Sequence, residues 1–166
     1  MKKLNLLFKP GYSLVEFLMY FALISIFLIV LTQMFVSILE VQTESEATSS
    51  VDLDGRFILA RLIYDISRST TVTTPQNPGN SSSSLLLVIG GANFTYSESG
   101  GAFVLTNNLG AGNLNSSETQ ISALNFTKLG EAGGKETIKF TFTLSSRVQR
   151  PSGPEVKTFG TTVERR

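Results

Sequence analysis

Phe17-Leu18-Met19-Tyr20-Phe21-Ala22-Leu23-Ile24-Ser25-Ile26-Phe27-Leu28-Ile29-Val30-Leu31 is a nearly unbroken apolar run. It continues past Thr32 and Gln33 through Met34-Phe35-Val36-Ser37-Ile38-Leu39, and no charged residue falls between positions 17 and 39. As a helix rising about 1.5 Å per residue, this span reaches about 35 Å, against a hydrocarbon core about 30 Å thick. A buried helix of a soluble protein carries an apolar stripe, not an apolar surface on every side. The stretch reads as a membrane-spanning helix.

Its flanks set an orientation. Lys2, Lys3 and Lys9 precede the run, and Glu40, Glu44 and Glu46 follow it. The positive-inside rule places the N-terminus in the cytoplasm and exports the chain beyond about Glu40. The expectation is a single pass through the inner, or cytoplasmic, membrane. A secretory signal cut after Ser45-Glu46-Ala47 would release a soluble domain instead. Such signals, however, have apolar stretches of about 7–15 residues with the cleavage site close behind.

The whole chain has 166 residues, room for one modest domain and an anchor. Charged residues make up 16%, and the shortfall lies in the apolar run. The net charge of +1 hides an asymmetry: without the three leader lysines, 11 Lys+Arg face 13 Asp+Glu, a net of −2. A mildly acidic product argues against general polyanion binding, so nucleic acid is not expected as a partner. Cysteine and histidine are absent, which removes disulfides, the commonest metal ligands and the commonest general base. No pairing of carboxylates or Ser-Lys spacing singles out a catalytic site. The chain reads as a non-enzyme without cofactor or metal.

The near edge of the run carries the most specific signal, Lys9-Pro10-Gly11-Tyr12-Ser13-Leu14-Val15-Glu16. A glycine precedes an aromatic residue, a glutamate lies four residues after that aromatic, and apolar helix begins at once. Gly11-Tyr12-Ser13-Leu14-Val15-Glu16 resembles the prepilin motif of type IV pilins and type II secretion pseudopilins. The resemblance implies that prepilin peptidase removes a leader of residues 1–11 by cutting between Gly11 and Tyr12. It also implies N-methylation of Tyr12, where the family usually has Phe.

The residues supply physical reasons for these roles. Gly11 has no side chain to keep an extended backbone out of a peptidase cleft. Glu16 carries a carboxylate into a membrane helix, at a cost of up to about 2.5–3.5 kcal/mol at mid-bilayer. The resemblance implies its partner, the N-terminal ammonium of Tyr12 on a neighbouring subunit, so that assembly neutralises both charges. The plainer alternative leaves Glu16 at the headgroups, favouring a helix N-terminus. The kinking proline frequent in pilin anchors is missing, and Thr32-Gln33 is the only strongly polar break.

The expected organisation is a leader at 1–11, a transmembrane and assembly helix at 12–39, an amphipathic continuation at 40–70 and an exported β-rich domain at 71–166. Val41, Val51, Leu53, Phe57, Ile58, Leu62 and Ile66 suggest the apolar stripe, with Arg56, Arg61, Asp65 and Arg68 as the wet face. Ser45 to Gly55 is poorer helix material, which leaves open either a bend or short interruption there or a nearly continuous helix. Strands are expected at 85–89, 94–96, 102–106, 121–129, 137–146 and 156–163, with 74–84 as a loop. The class is α+β: a long N-terminal helix packed on a C-terminal antiparallel sheet, the pilin fold.

Arg61-Leu62-Ile63-Tyr64-Asp65-Ile66-Ser67-Arg68 and the late strand pair resemble J-type minor pseudopilins and their type IV pilus counterparts. What the resemblance implies is a minor filament subunit. Its partners would be other pilin or pseudopilin subunits, an inner-membrane assembly platform and, indirectly, a cytoplasmic assembly ATPase. Other readings are an anchored adhesion or binding domain that never polymerises, and a DNA-contacting competence pilin. The basic positions Arg147, Arg150, Lys157, Arg165 and Arg166 are read as a solvated tail. Asp52, Asp54 and Asp65 lack the dense oxygen-ligand loop of a calcium site. Asn-x-Ser/Thr triplets at Asn80, Asn93, Asn115 and Asn125 follow from a Ser/Thr-rich composition.

Overall fold

A computed structural model describes residues 13–130 and 136–166. The element order is α1 (Leu14–Arg68), β1 (Thr71–Thr74), β2 (Ser81–Ser82), β3 (Leu85–Ile89), β4 (Ala92–Ser99), β5 (Ala102–Asn107), β6 (Gly110–Asn113), β7 (Thr119–Leu129), β8 (Thr137–Ser146) and β9 (Val156–Glu164). The chain divides into two units, Met1–Val41 and Gln42–Arg166.

In the first unit the described part of α1 is long and apolar enough to cross a membrane, and none of its most apolar window is buried. Ser25 and Thr32 do not interrupt it. Their hydroxyls donate to the carbonyls of Phe21 and Leu28, each at 2.8 Å, which satisfies them within the helix. The helix also passes through Thr32-Gln33 unbroken.

In the second unit α1 packs on two antiparallel sheets, one in the order β1-β3-β4-β5-β6 and the other in the order β2-β7-β8-β9. The α+β class and the long helix match the expectation. The β part is divided into two sheets because the core is shared between them. Tyr96 and Phe103 of the first sheet stack into Phe142, Phe159, Phe140 and Phe126 of the second, with ring centroids 5.5–6.5 Å apart. Such pairs contribute about 0.5–1.5 kcal/mol each beyond the area they bury.

The helix differs from expectation in two places, its buried face and Asp65, and settles one open point between them. Val51, Ile58, Leu62 and Ile66 are buried, but Val41, Leu53 and Phe57 are exposed. Ala47, Ser50 and Gly55 fill the buried face instead, so small side chains bring the helix close to the strands. The helix runs uninterrupted from Ser45 to Gly55. At Gly55 the ring of Phe159 lies where a side chain would stand: an added Cβ would sit 2.2 Å from its Cζ. The glycine is a packing requirement, not a break. Lastly, Asp65 is fully buried and not on a wet face.

All six expected strands form. β1, β2 and β6 were not anticipated, and each lies at a sheet edge. Each is short: β1 offers the core only Val72, and β2 and β6, polar or Gly-rich, offer it nothing. In β7 the register shifts between Ser122 and Asn125, and Ala123 adopts φ 51°. This bulge leaves Ser122 and Ala123 both outward and returns Leu124 to the core.

Candidate assembly site

Ser13 caps the start of α1. Its hydroxyl accepts the backbone N–H of Glu16 at 3.3 Å, and its carbonyl accepts that of Phe17 at 3.1 Å. Ser13-Leu14-Val15-Glu16 thus has the Ser-x-x-Glu spacing of a capping box. Sequence reasoning passed over Ser13, although this spacing was there to be read. Glu16 lies exposed in the first turn, where the positive end of the helix dipole favours a carboxylate. Its backbone is held by the cap while its side chain faces outward.

The surface after Glu16 is apolar and uncovered. Phe17, Phe21, Leu28 and Phe35 are all more than half exposed, and even Leu39 is 44% exposed. In water such a surface would be a severe liability. In lipid, or among helices of the same kind, it is ordinary. Gly11, Tyr12, Lys2, Lys3 and Lys9 lie outside the described residues.

In the second unit the charged residues that drew notice are held by partners. Asp52 accepts from Lys157 at 2.6 Å, and that bond holds its carboxyl below the usual carboxylate range. Asp54 accepts from the backbone N–H and hydroxyl of Ser116 and the hydroxyl of Thr119, at 2.9, 2.8 and 2.5 Å, fixing the β6–β7 turn to the helix. Asp65 accepts from Arg61 at 2.7 Å, from two nitrogens of Arg68, and from Tyr96. The three aspartates therefore serve three separate contacts, and they do not converge.

The basic C-terminal stretch is not a solvated tail. Arg150 is bound between Glu44 at 2.5 Å and Glu155 at 3.0 Å, while Arg165 bonds Glu136 and the carbonyl of Thr70. With Lys157 on Asp52, three of the five basic residues tie β9 and its preceding loop to the rest of the unit. Lys128, buried in β7, likewise donates to Glu136 at 2.6 Å and to the carbonyl of Gln76 at 3.1 Å. A charge run in sequence has become a set of cross-links.

No family model, curated protein or solved structure matches this chain.

Proposed function

We propose that this chain is a structural subunit, of the minor pilin or pseudopilin kind, of a type IV pilus or type II secretion-like filament. The observation that carries the reading is the start of α1. A Ser-capped first turn presents Glu16 at the head of a long, uncovered apolar helix, directly after Gly11-Tyr12. In this reading α1 first holds the subunit in the inner membrane with the N-terminus cytoplasmic. Prepilin peptidase then cuts after Gly11 and methylates Tyr12. Glu16 pairs with the Tyr12 ammonium of a neighbouring subunit, which removes the cost of withdrawing either charge from water.

The force for extraction from the membrane comes from the assembly platform and its ATPase. The mechanism is assembly, not chemistry. The second unit, with Asp52, Asp54, Asp65, Lys128, Arg150, Lys157 and Arg165 engaged in internal contacts, is the part displayed outside.

Intact-mass and N-terminal analysis of the membrane-extracted chain from a host with an active prepilin peptidase tests this. The expected product starts at methylated Tyr12. A chain still starting at Met1 would favour an anchored domain that is never polymerised, and one starting near Thr48 a secreted domain.

A further inference from the structure

Between Arg68 and Glu118 the only charged residue is Glu98, where about one residue in four is ordinary. From Glu118 to Arg166 charges return at that ordinary frequency. The gap spans every strand of the five-stranded sheet, β1-β3-β4-β5-β6. Side chains alternate along a strand, so Glu98 falls on the same side of β4 as the buried Tyr96, near the strand's end. No strand residue on the outward face of this sheet is charged.

That face is notched at one end. The β3–β4 ladder continues to Ile89–Ala92 and the β5–β6 ladder to Asn107–Gly110, but the β4–β5 ladder between them stops at Thr95–Thr106. The two hairpins part beyond that rung, and an open groove of about 620 Å³ lies there, between the Gly90-Gly91 turn and Asn108. Asn93, Thr95, Thr106 and Asn107 line it as well. The volume falls within the about 300–1,000 Å³ of small-ligand sites, yet the apolar lining usual in such sites is missing. Ala92 contributes its one wholly apolar side chain. Among the described residues the side chains of Asn93, Thr95, Thr106 and Asn108 have no hydrogen-bond partner. Asn107 accepts the N–H of Leu109 on its Oδ1 at 2.8 Å, which holds the amide in place and leaves its N–H groups free to donate.

The lining decides the class of ligand. A carboxylate, phosphate or ammonium brought here would lose water and gain no opposite charge. An apolar molecule would find no apolar wall. The hydroxyls of a sugar ring, each both donor and acceptor, match the amides and hydroxyls of the groove and recover there the hydrogen bonds they give up in water. We infer that this notch binds an uncharged oligosaccharide, with the chain of sugars continuing onto the charge-free face of the sheet. Glycan binding at the notch goes beyond the filament reading and does not depend on it.

The full-length chain, held in a detergent without a sugar headgroup, is titrated calorimetrically with maltotetraose, cellotetraose and chitotetraose, and with tetragalacturonate as the anionic counterpart. The expected result is binding of at least one neutral tetrasaccharide in the millimolar range or tighter, and none of tetragalacturonate. Asn93→Ala and Thr106→Val should each weaken that binding about fivefold or more, because each removes hydrogen-bonding groups from the groove. Asn125→Ala, at an exposed position of the other sheet, should leave it unchanged. All three positions are exposed, and matched thermal unfolding of the variants confirms that the fold is kept.

Failure of all three neutral sugars to bind overturns the inference. So does binding of tetragalacturonate as strong as theirs, or sugar binding that neither groove variant weakens. Self-association of the chain that Thr106→Val abolishes, with no sugar bound, would overturn it too and give the face to a second copy. Each of these results leaves the filament reading standing.

Discussion

Tyr96 of β4 donates its phenolic hydrogen to Asp65 of α1, and both side chains are shut off from water. The bond ties the helix to the five-stranded sheet. Arg61 and Arg68 complete the carboxylate's surroundings from the same helix, and each remains about a third exposed. A fully buried charge is thus balanced by two that reach solvent. Arg68 also lies over the rings of Tyr64 and Phe94, at 4.5 and 5.7 Å from their centroids.

This relationship gives the fold a pH limit on the alkaline side. Burial first, and the bond to Asp65 second, push the Tyr96 hydroxyl above its ordinary value of 10.0. The folded chain therefore keeps a proton that the unfolded chain releases. The stabilisation is complete below about pH 10 and is lost as pH rises from there toward the folded value. Thermal unfolding of the full chain in detergent should show a midpoint that falls above about pH 10. In Tyr96→Phe, which starts about 1–2 kcal/mol less stable, that fall should be shallower. Parallel profiles for the two proteins would contradict the assignment.

The same cluster predicts an order among substitutions. Removing both arginines, as Arg61→Met with Arg68→Met, strands the Asp65 charge in the core and should cost about 3–5 kcal/mol. Asp65→Ala leaves two arginines that can rehydrate and one unpaired hydroxyl on Tyr96, for about 1–3 kcal/mol. Denaturant unfolding of the detergent-solubilised chain measures both. A larger loss for Asp65→Ala would mean that the carboxylate is not the group most dependent on its partners.

Gly55→Ala sets helix propensity against packing. In an exposed helix the change stabilises by about 1 kcal/mol. Here the new methyl would fall on the Phe159 ring, and overpacking of this kind costs about 1–3 kcal/mol. A net loss of stability is expected, partly recovered by adding Phe159→Leu. A gain in melting temperature for Gly55→Ala alone would show that the ring moves aside freely.

At the other end of the helix, processing and assembly should separate. Gly11→Leu is expected to leave the precursor uncut, as judged by intact mass. Glu16→Ala should be cut normally, yet fall at least tenfold in the sheared filament fraction. Wild-type incorporation of Glu16→Ala would remove the proposed pairing with Tyr12.

Much of this was legible in the order of residues. The absence of charge from 17 to 39, on every face, needs no partner to be interpreted, because length and solvation alone decide what can cover such a helix. The alternation of Ile138, Phe140, Phe142 and Leu144 foretold β8, and each of these side chains is buried. Ser13 was legible too, through its spacing from Glu16, and was passed over.

Only the tertiary structure decided the rest. Phe57 and Ile58 are adjacent and equally apolar, and which one enters the core depends on where the sheets meet the helix. Asp65 looks like any helix carboxylate until Tyr96, 31 residues later, is brought against it. Gly55 suggests a break until the Phe159 ring occupies its missing side chain. Three of the four edge strands, β1, β2 and β6, carry almost no apolar signal and exist because a neighbour offers hydrogen bonds. The sequence by itself determined the solvent each segment requires, since transfer free energy belongs to the side chains. The partner each segment receives was left to packing, because contacts between residues far apart in the chain are made only when the whole fold closes.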